Sequence, residues 1–374
     1  MSYLSKPMSK NAAPKIKVLV VDDSALIRSL LSEIINQEDD MEVVATARDP
    51  LIARDKIREL NPDVLTLDIE MPNMDGLEFL EKLMRLHPLP VLMVSTTTAQ
   101  GSAATLRALE LGAIDFIHKP KIDVKNKIEQ YAAEITQKIR TVAQAKVHPL
   151  HGSSTSKPLA KPLKARPVKA EKSSGDKLKL LVIGASTGGT EAIKEILIQM
   201  PADSPPILIV QHMPEGFTKS YAARLDNLCE IAVAEAVHGE LLRPGRAYLA
   251  PGGFHMTILR TGASYVCQIN EDATVNHHRP SVDVLFNSVA KQAISKHAKT
   301  EVIGVILTGM GKDGAAGLKV LHDLGSKTFA QDEASCVVFG MPKEAIARGA
   351  VDEVAPLDEI AGRILLHLGY DEEV

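Results

Sequence analysis

One pattern, occurring twice, most constrains what this 374-residue chain can fold into: short apolar runs closed by a polar residue, with amphipathic stretches between them. In the N-terminal part the runs are KVLVVDD (17–23), VVAT (43–46), DVLTLD (63–68), PVLMVS (90–95) and AIDFIHKP (113–120). The stretches between them have helical spacing; over 25–36, Leu26, Leu30, Ile34 and Ile35 are expected to line one buried face. Such alternation implies a parallel sheet with helices on both faces. The C-terminal part repeats it, with strands expected at 179–184, 207–211, 247–250, 302–308 and 327–331. Around 250–275 the spacing shortens to alternation (FHMTILRTGASYVCQINEDATV), which predicts one or two inserted β-hairpins.

The length calls for two domains, and the segment between the repeats shows where they part. HPLHGSSTSKPLAKPLKARPVKAEKSSGDK is rich in Pro, Ser and Lys and nearly devoid of large apolar residues, so it cannot offset its ordering entropy by burial. The expected organisation is one domain over 15–140, a flexible basic linker over 141–177 and a second domain over 178–370. The linker reads as a solvated tether more readily than as a docking segment for an acidic partner. A net charge of −4 gives no general reason to expect nucleic acid as a partner. Cys229, Cys267 and Cys336 are too scattered for a zinc site or a disulfide framework. The N-terminus lacks a signal-peptide core and no run approaches the ~18 apolar residues of a membrane span, so a cytoplasmic protein that is not membrane-inserted is expected.

In parallel α/β sheets the chemistry gathers at the carboxyl ends of the strands. In the first domain those ends carry Asp22 and Asp23, Asp68, Ser95 and Lys119. Three carboxylates brought to one edge repel one another unless a hard cation such as Mg²⁺ holds them. An aspartate beside that ion can attack a phosphoryl group, while a lysine and a hydroxyl hold its oxygens. Singly, an aspartate after a strand is usually a turn or cap residue; the ordered set is what points to a site.

With VVDDS, LDIEMPNMDG, VLMVS and IDFIHKP, residues 15–140 resemble the receiver domain of bacterial two-component response regulators. The resemblance implies a flavodoxin-like fold, Asp68 as phosphoacceptor, Asp22, Asp23 and Asp68 around Mg²⁺, Ser95 as the switch hydroxyl and Lys119 as the phosphate-sensing lysine.

The second domain opens with LKLLVIGASTGGTEAIKEIL (178–197), a strand, a Gly-rich turn and a helix. Gly184, Gly188 and Gly189 are misplaced for either phosphate-binding glycine motif. Ser186 is open to two readings. It or a neighbouring Thr187 or Thr190 can cap the helix, or, within G-x-S-x-G, it can be a nucleophile exposed at a strand-to-helix turn. A nucleophile needs a base and an orienting carboxylate. His212 ends the strand PILIV, and Asp313 follows EVIGVILTGMGK at a third strand end. Each has a plainer reading, a packing histidine and an N-cap aspartate. Their order, Ser–His–Asp, differs from that of the α/β-hydrolases, although geometry rather than order defines a triad.

The combination of a receiver, a linker, GASTGG, QHMP, APGGFHM, HRPSVDVLF and LTGMGKDGA is similar to the chemotaxis receptor methylesterases, the CheB family, over essentially the whole chain. The resemblance implies two doubly wound α/β domains, the flavodoxin-like receiver and a larger, Rossmann-like esterase domain. It implies hydrolysis of glutamate γ-methyl esters, and deamidation of certain glutamines, on methyl-accepting chemotaxis receptors. Ser186 would be the nucleophile, His212 the general base and Asp313 its carboxylate, with Thr187 and Met310 beside the oxyanion and HHRPSVD (277–283) shaping the site. No cofactor is expected in the second domain, a chemotaxis histidine kinase is the expected phosphodonor, and a monomer is expected. Domain order suggests that the unphosphorylated receiver covers the active site. The rival is a response regulator whose output domain binds a partner or nucleotide without catalysis; a DNA-binding output is weaker, for want of a helix-turn-helix or basic stripe.

Overall fold

A computed structural model describes residues 14–71, 74–95, 99–119, 125–147, 178–294 and 300–370; most of the expected linker, from residue 148, lies outside them. The N-terminal domain runs β1 (Ile16–Val21), α1 (Ala25–Asn36), β2 (Met41–Ala47), α2 (Pro50–Leu60), β3 (Val64–Asp68), α3 (Gly76–Leu86), β4 (Val91–Ser95), α4 (Ala99–Glu110), β5 (Asp115–His118) and α5 (Lys125–Ala143). Its strands form a parallel sheet in the order β2-β1-β3-β4-β5. The order reverses between β1 and β3, which opens a crevice at their carboxyl ends.

The C-terminal domain runs β6 (Leu178–Ala185), α6 (Gly189–Leu197), β7 (Ile207–Gln211), α7 (Thr218–Asp226), β8 (Ala232–Glu235), β9 (Arg246–Leu249), β10 (His255–Thr261), β11 (Ser264–Asn270), α8 (Val282–Ala293), β12 (Thr300–Ile306), α9 (Ala315–Asp323), β13 (Lys327–Gln331), α10 (Met341–Ala347), β14 (Glu353–Ala355) and α11 (Leu357–Leu368). Seven strands form a parallel sheet in the order β14-β13-β12-β6-β7-β9-β8. Its switch point lies between β6 and β12. The segment at 250–275 forms one antiparallel hairpin, β10–β11, whose Met256, Ile258, Tyr265 and Cys267 face the core while α8 packs against β10.

Two expectations need correcting. Leu26 is 58% exposed, and the buried face of α1 is Ile27, Leu31, Ile34 and Ile35. Apolar residues stand at both 26–27 and 30–31, so either stripe satisfies helical spacing and packing on the sheet selects one. The strand pattern also missed β8 and β14, which are four and three residues long, too short to show a period.

The two domains share a continuous apolar cluster that runs from Leu109 and Phe116 on one side to Ile193 and Phe217 on the other. The rings of Phe116 and Phe217 lie 4.6 Å apart, a contact that contributes about 0.5–1.5 kcal/mol beyond its buried area. Helix α4 packs on α7. Ser102 Oγ donates to Gly216 O at 3.3 Å, and Glu110 pairs with Arg224.

Candidate active site

The turn after β6 decides between the two readings of Ser186. The N-cap of α6 is Gly188, at φ +79° and without any side-chain cap bond, so neither Ser186, Thr187 nor Thr190 caps the helix. Glycine is required at 188: its φ is left-handed, and a Cβ there would lie 2.7 Å from Val337 Cβ. Ser186 is left at the sheet edge, partly exposed, with its N–H donating to Thr308 O and its own carbonyl accepting from Gly189 N and Gln211 Nε2. Its Oγ makes no hydrogen bond among the described residues. Gly309 passes so close that a Cβ there would lie 2.7 Å from Ser186 Cβ, which brings Met310 to the side of Ser186. The backbone N–H groups of Thr187 and Met310 make no hydrogen bond among the described residues either.

His212 follows β7 directly and is tied to the neighbouring strand end by its N–H to Ala185 O at 3.1 Å. Its ring donates Nε2–H to Asp313 Oδ2 at 2.8 Å, and its Nδ1 is buried without a partner. Asp313 is not a cap of α9; Gly314 holds that position. Instead its carboxylate sits at the N-terminus of α8, a twelve-residue helix, where it accepts from Val282 N at 2.7 Å and Asp283 N at 3.4 Å. Ser281 Oγ and Asn276 Nδ2 each donate to its other oxygen at 2.8 Å. Burial would raise the pKa of Asp313, but the bonds from His212, Asn276 and Ser281 outweigh it and hold the carboxyl well below the usual range. These bonds favour the charged form of Asp313.

The HHRPSVD segment borders this site. Ser281 does cap α8, accepting from Val284 N, while its hydroxyl proton goes to Asp313. Asn276 Nδ2 also reaches Asp283 Oδ2 at 2.8 Å, bridging two carboxylates. His278 stacks on His212, ring centroids 3.7 Å apart and planes 12° from parallel. Reading the sequence alone missed Asn276 and the stacking of His278; the only signal was the density of polar residues in 276–283.

The sequence-predicted residues of the N-terminal domain also meet. Asp22 and Asp68 are each 1% exposed, Asp23 lies at the surface, and one oxygen from each lies within 4.8 Å of the others. Lys119 Nζ reaches Asp68 Oδ2 at 2.7 Å and Asp22 Oδ2 at 3.2 Å. Ser95, buried at the end of β4, accepts from Thr105 Oγ1 at 2.6 Å. Burial pushes Asp68 up to about 6 against the pull of Lys119, with Asp22 adding repulsion; Asp22 is raised too, chiefly by burial.

The two sites are joined through β5 and α5. Asp115, at the start of β5, accepts from Thr187 Oγ1 at 2.6 Å and from Lys138 Nζ at 2.8 Å. Thr141 of α5 donates to the sulfur of Met310. Both neighbours of the candidate oxyanion position are thus held by the N-terminal domain.

Comparison with known proteins matches the two domains to known families. Residues 181–364 match the CheB methylesterase family and residues 18–129 the response regulator receiver domain. A protein-glutamate methylesterase/protein-glutamine glutaminase of Nitrosomonas europaea is 59% identical over 354 residues, covering 95% of this chain and 97% of that one. A relative of the same description from Geobacter metallireducens is 58% identical over 355 residues, covering 93% and 95%. The crystal structure of the CheB methylesterase catalytic domain of Thermotoga maritima is 40% identical, with a TM-score of 0.49, and covers 52% of this chain and all of that one. This chain belongs to the CheB methylesterase family, with a response regulator receiver domain preceding the methylesterase domain.

Proposed function

We propose that this chain is a protein-glutamate methylesterase and protein-glutamine glutaminase that acts on methyl-accepting chemotaxis receptors through Ser186, His212 and Asp313 and is activated by phosphorylation of Asp68. The observation that carries the reading is the His212–Asp313 pair one strand end from an uncapped, unbonded Ser186. With Nε2–H committed to Asp313, Nδ1 is the atom left to accept the Ser186 proton. As that proton moves, Oγ bonds to the ester carbonyl carbon and the C=O π electrons move onto oxygen, where the N–H groups of Thr187 and Met310 are the donors at hand. Collapse expels methoxide, which takes the proton from His212 and leaves as methanol. Water then repeats the sequence on the acyl-serine, giving glutamate and free Ser186. A glutamine substrate follows the same path with ammonia as the leaving molecule.

Asp22, Asp23 and Asp68 suit Mg²⁺: hard oxygen donors crowded together, two of them with pKa values driven up. Bound there, the ion offsets the charge of an incoming phosphoryl group. Asp68 offers the attacking oxygen, while Lys119 and Ser95 stand at neighbouring strand ends to hold the phosphoryl oxygens. Three residues separate Lys119 from Asp115, so a rearrangement at one end of β5 reaches the contact with Thr187 at the other. The contacts of Asp115 with Thr187 and of Thr141 with Met310 support an unphosphorylated receiver that restrains the active site.

The test is methanol release from methylated chemoreceptor membranes. Release by the intact protein that vanishes in Ser186→Ala is expected; equal release by both would overturn the reading. A partner-binding output domain without catalysis predicts no release from either.

A further inference from the structure

We propose that His278 is a positioning residue for His212, whose neutral ring lies over the base and favours the imidazolium formed when Ser186 gives up its proton. The inference rests on the esterase reading above and goes beyond its three residues. Three observations carry it. The rings are parallel to within 12° at 3.7 Å, so His278 presents its π face to His212 and no ring nitrogen. The loop that carries His278 is tightly made: Asn276 and His277 have φ of 51° and 68°, and Val275 and His278 exchange both backbone hydrogen bonds, at 3.1 and 2.9 Å. Asn276 in that same loop donates to Asp313, so a single turn sets both the carboxylate on one edge of His212 and the ring on its face.

The electrostatics fit. Burial, and then His212, pull His278 down to about 3, so it remains neutral while the base cycles. The charged and titratable groups around it are His212 and Asp313 in the site, exposed His277 beside it, and Lys138 from α5 of the receiver. Lys138 and His212 both oppose a charge on His278; Asp313 alone favours one. A neutral aromatic face next to a forming cation is a cation–π arrangement, and it acts only once His212 is protonated. Such an interaction raises kcat rather than substrate affinity. A shared metal is excluded by geometry, since stacked rings direct their lone pairs along parallel planes; among the described residues the only cluster suited to an ion is the acidic one in the receiver.

Two variants separate a π face from mere space-filling. His278→Phe keeps the face and His278→Leu keeps comparable apolar bulk. Full-length protein, phosphorylated and assayed for methanol release from methylated receptors, should lose about tenfold in kcat as Leu, about 1.4 kcal/mol, with KM unchanged. As Phe it should stay within about twofold of wild type, in line with the usual cation–π range. Thermal unfolding of both variants confirms that each is folded. Equal kcat for Leu and Phe, or a Leu effect confined to KM, overturns the inference while loss of release in Ser186→Ala keeps the esterase reading. Release that persists in Ser186→Ala overturns both.

Discussion

Two aspartates, Asp68 in the receiver and Asp313 in the esterase, are each 1% exposed at a strand's carboxyl edge, yet their acidities are driven in opposite directions. Around Asp313, five donors converge: His212, Asn276, Ser281 and the N–H groups of Val282 and Asp283. Around Asp68 stand one lysine, one backbone N–H at 3.3 Å, and the like charge of Asp22. Burial penalises both charges, and the surroundings decide whether the penalty is offset. A carboxylate surrounded by donors is fixed in place and suited to hold a base through each turnover. A carboxylate crowded by its own kind gains by taking up a cation or a phosphoryl group. In the proposed function the same residue type at the same depth is a permanent support in one domain and a switch in the other.

The largest expected effect comes from removing the fixed charge. Asp313→Asn should lower methanol release about 10⁴-fold while leaving phosphoryl incorporation at Asp68 intact, as loss of the orienting carboxylate does in other triads. In the converse substitution, Asp68→Asn should abolish labelling from a small phosphodonor but keep the basal esterase rate; stoichiometric labelling would reject the phosphoacceptor assignment.

Smaller effects probe what joins the two. Asp115→Ala removes the acceptor for Thr187 and should raise the basal rate of the unphosphorylated protein about fivefold, the equivalent of one hydrogen bond of about 1 kcal/mol. A single contact gives only a partial effect, because a complete switch needs about 5.5 kcal/mol. Rates with saturating phosphodonor should converge; an unchanged basal rate would remove Asp115 from the proposed restraint.

The smallest is a pH effect on stability. The folded pKa of His278 lies below its ordinary value, so the unfolded chain binds more protons than the native one between about pH 6.5 and about 3. This histidine therefore costs stability progressively as pH falls through that window and costs nothing above it. His278→Phe should flatten the loss of stability on acidification, read as urea midpoints at pH 7 and pH 5; parallel losses in both proteins would contradict it.

How much of this was legible in the sequence follows from where each contact is made. Ser186, His212, Asp68 and Lys119 could be found because each is at or next to the end of an apolar run, and parallel sheets gather such ends. Asp313 lies seven residues beyond its strand, and the pattern suggested it only by chemistry. What remained hidden depends on backbone turns or on distant partners. Asn276 reaches Asp313 from 37 positions away, through a loop with left-handed φ that no periodicity encodes. Thr187 and Asp115 are 72 positions apart and on different domains. The buried face of α1 is ambiguous in the sequence for a different reason: two apolar stripes compete, and only the sheet chooses.

In the proposed function the fixed charge of Asp313 supports the chemistry at Ser186, and the crowded charge of Asp68 in the other domain controls it. The most direct test is methanol release from methylated receptor membranes before and after adding phosphodonor and Mg²⁺, in the intact protein, Asp68→Asn and Ser186→Ala. The expected result is a rise in the intact protein, a basal rate without a rise in Asp68→Asn, and no release from Ser186→Ala. A phosphodonor-dependent rise in Asp68→Asn, or undiminished release from Ser186→Ala, would contradict it.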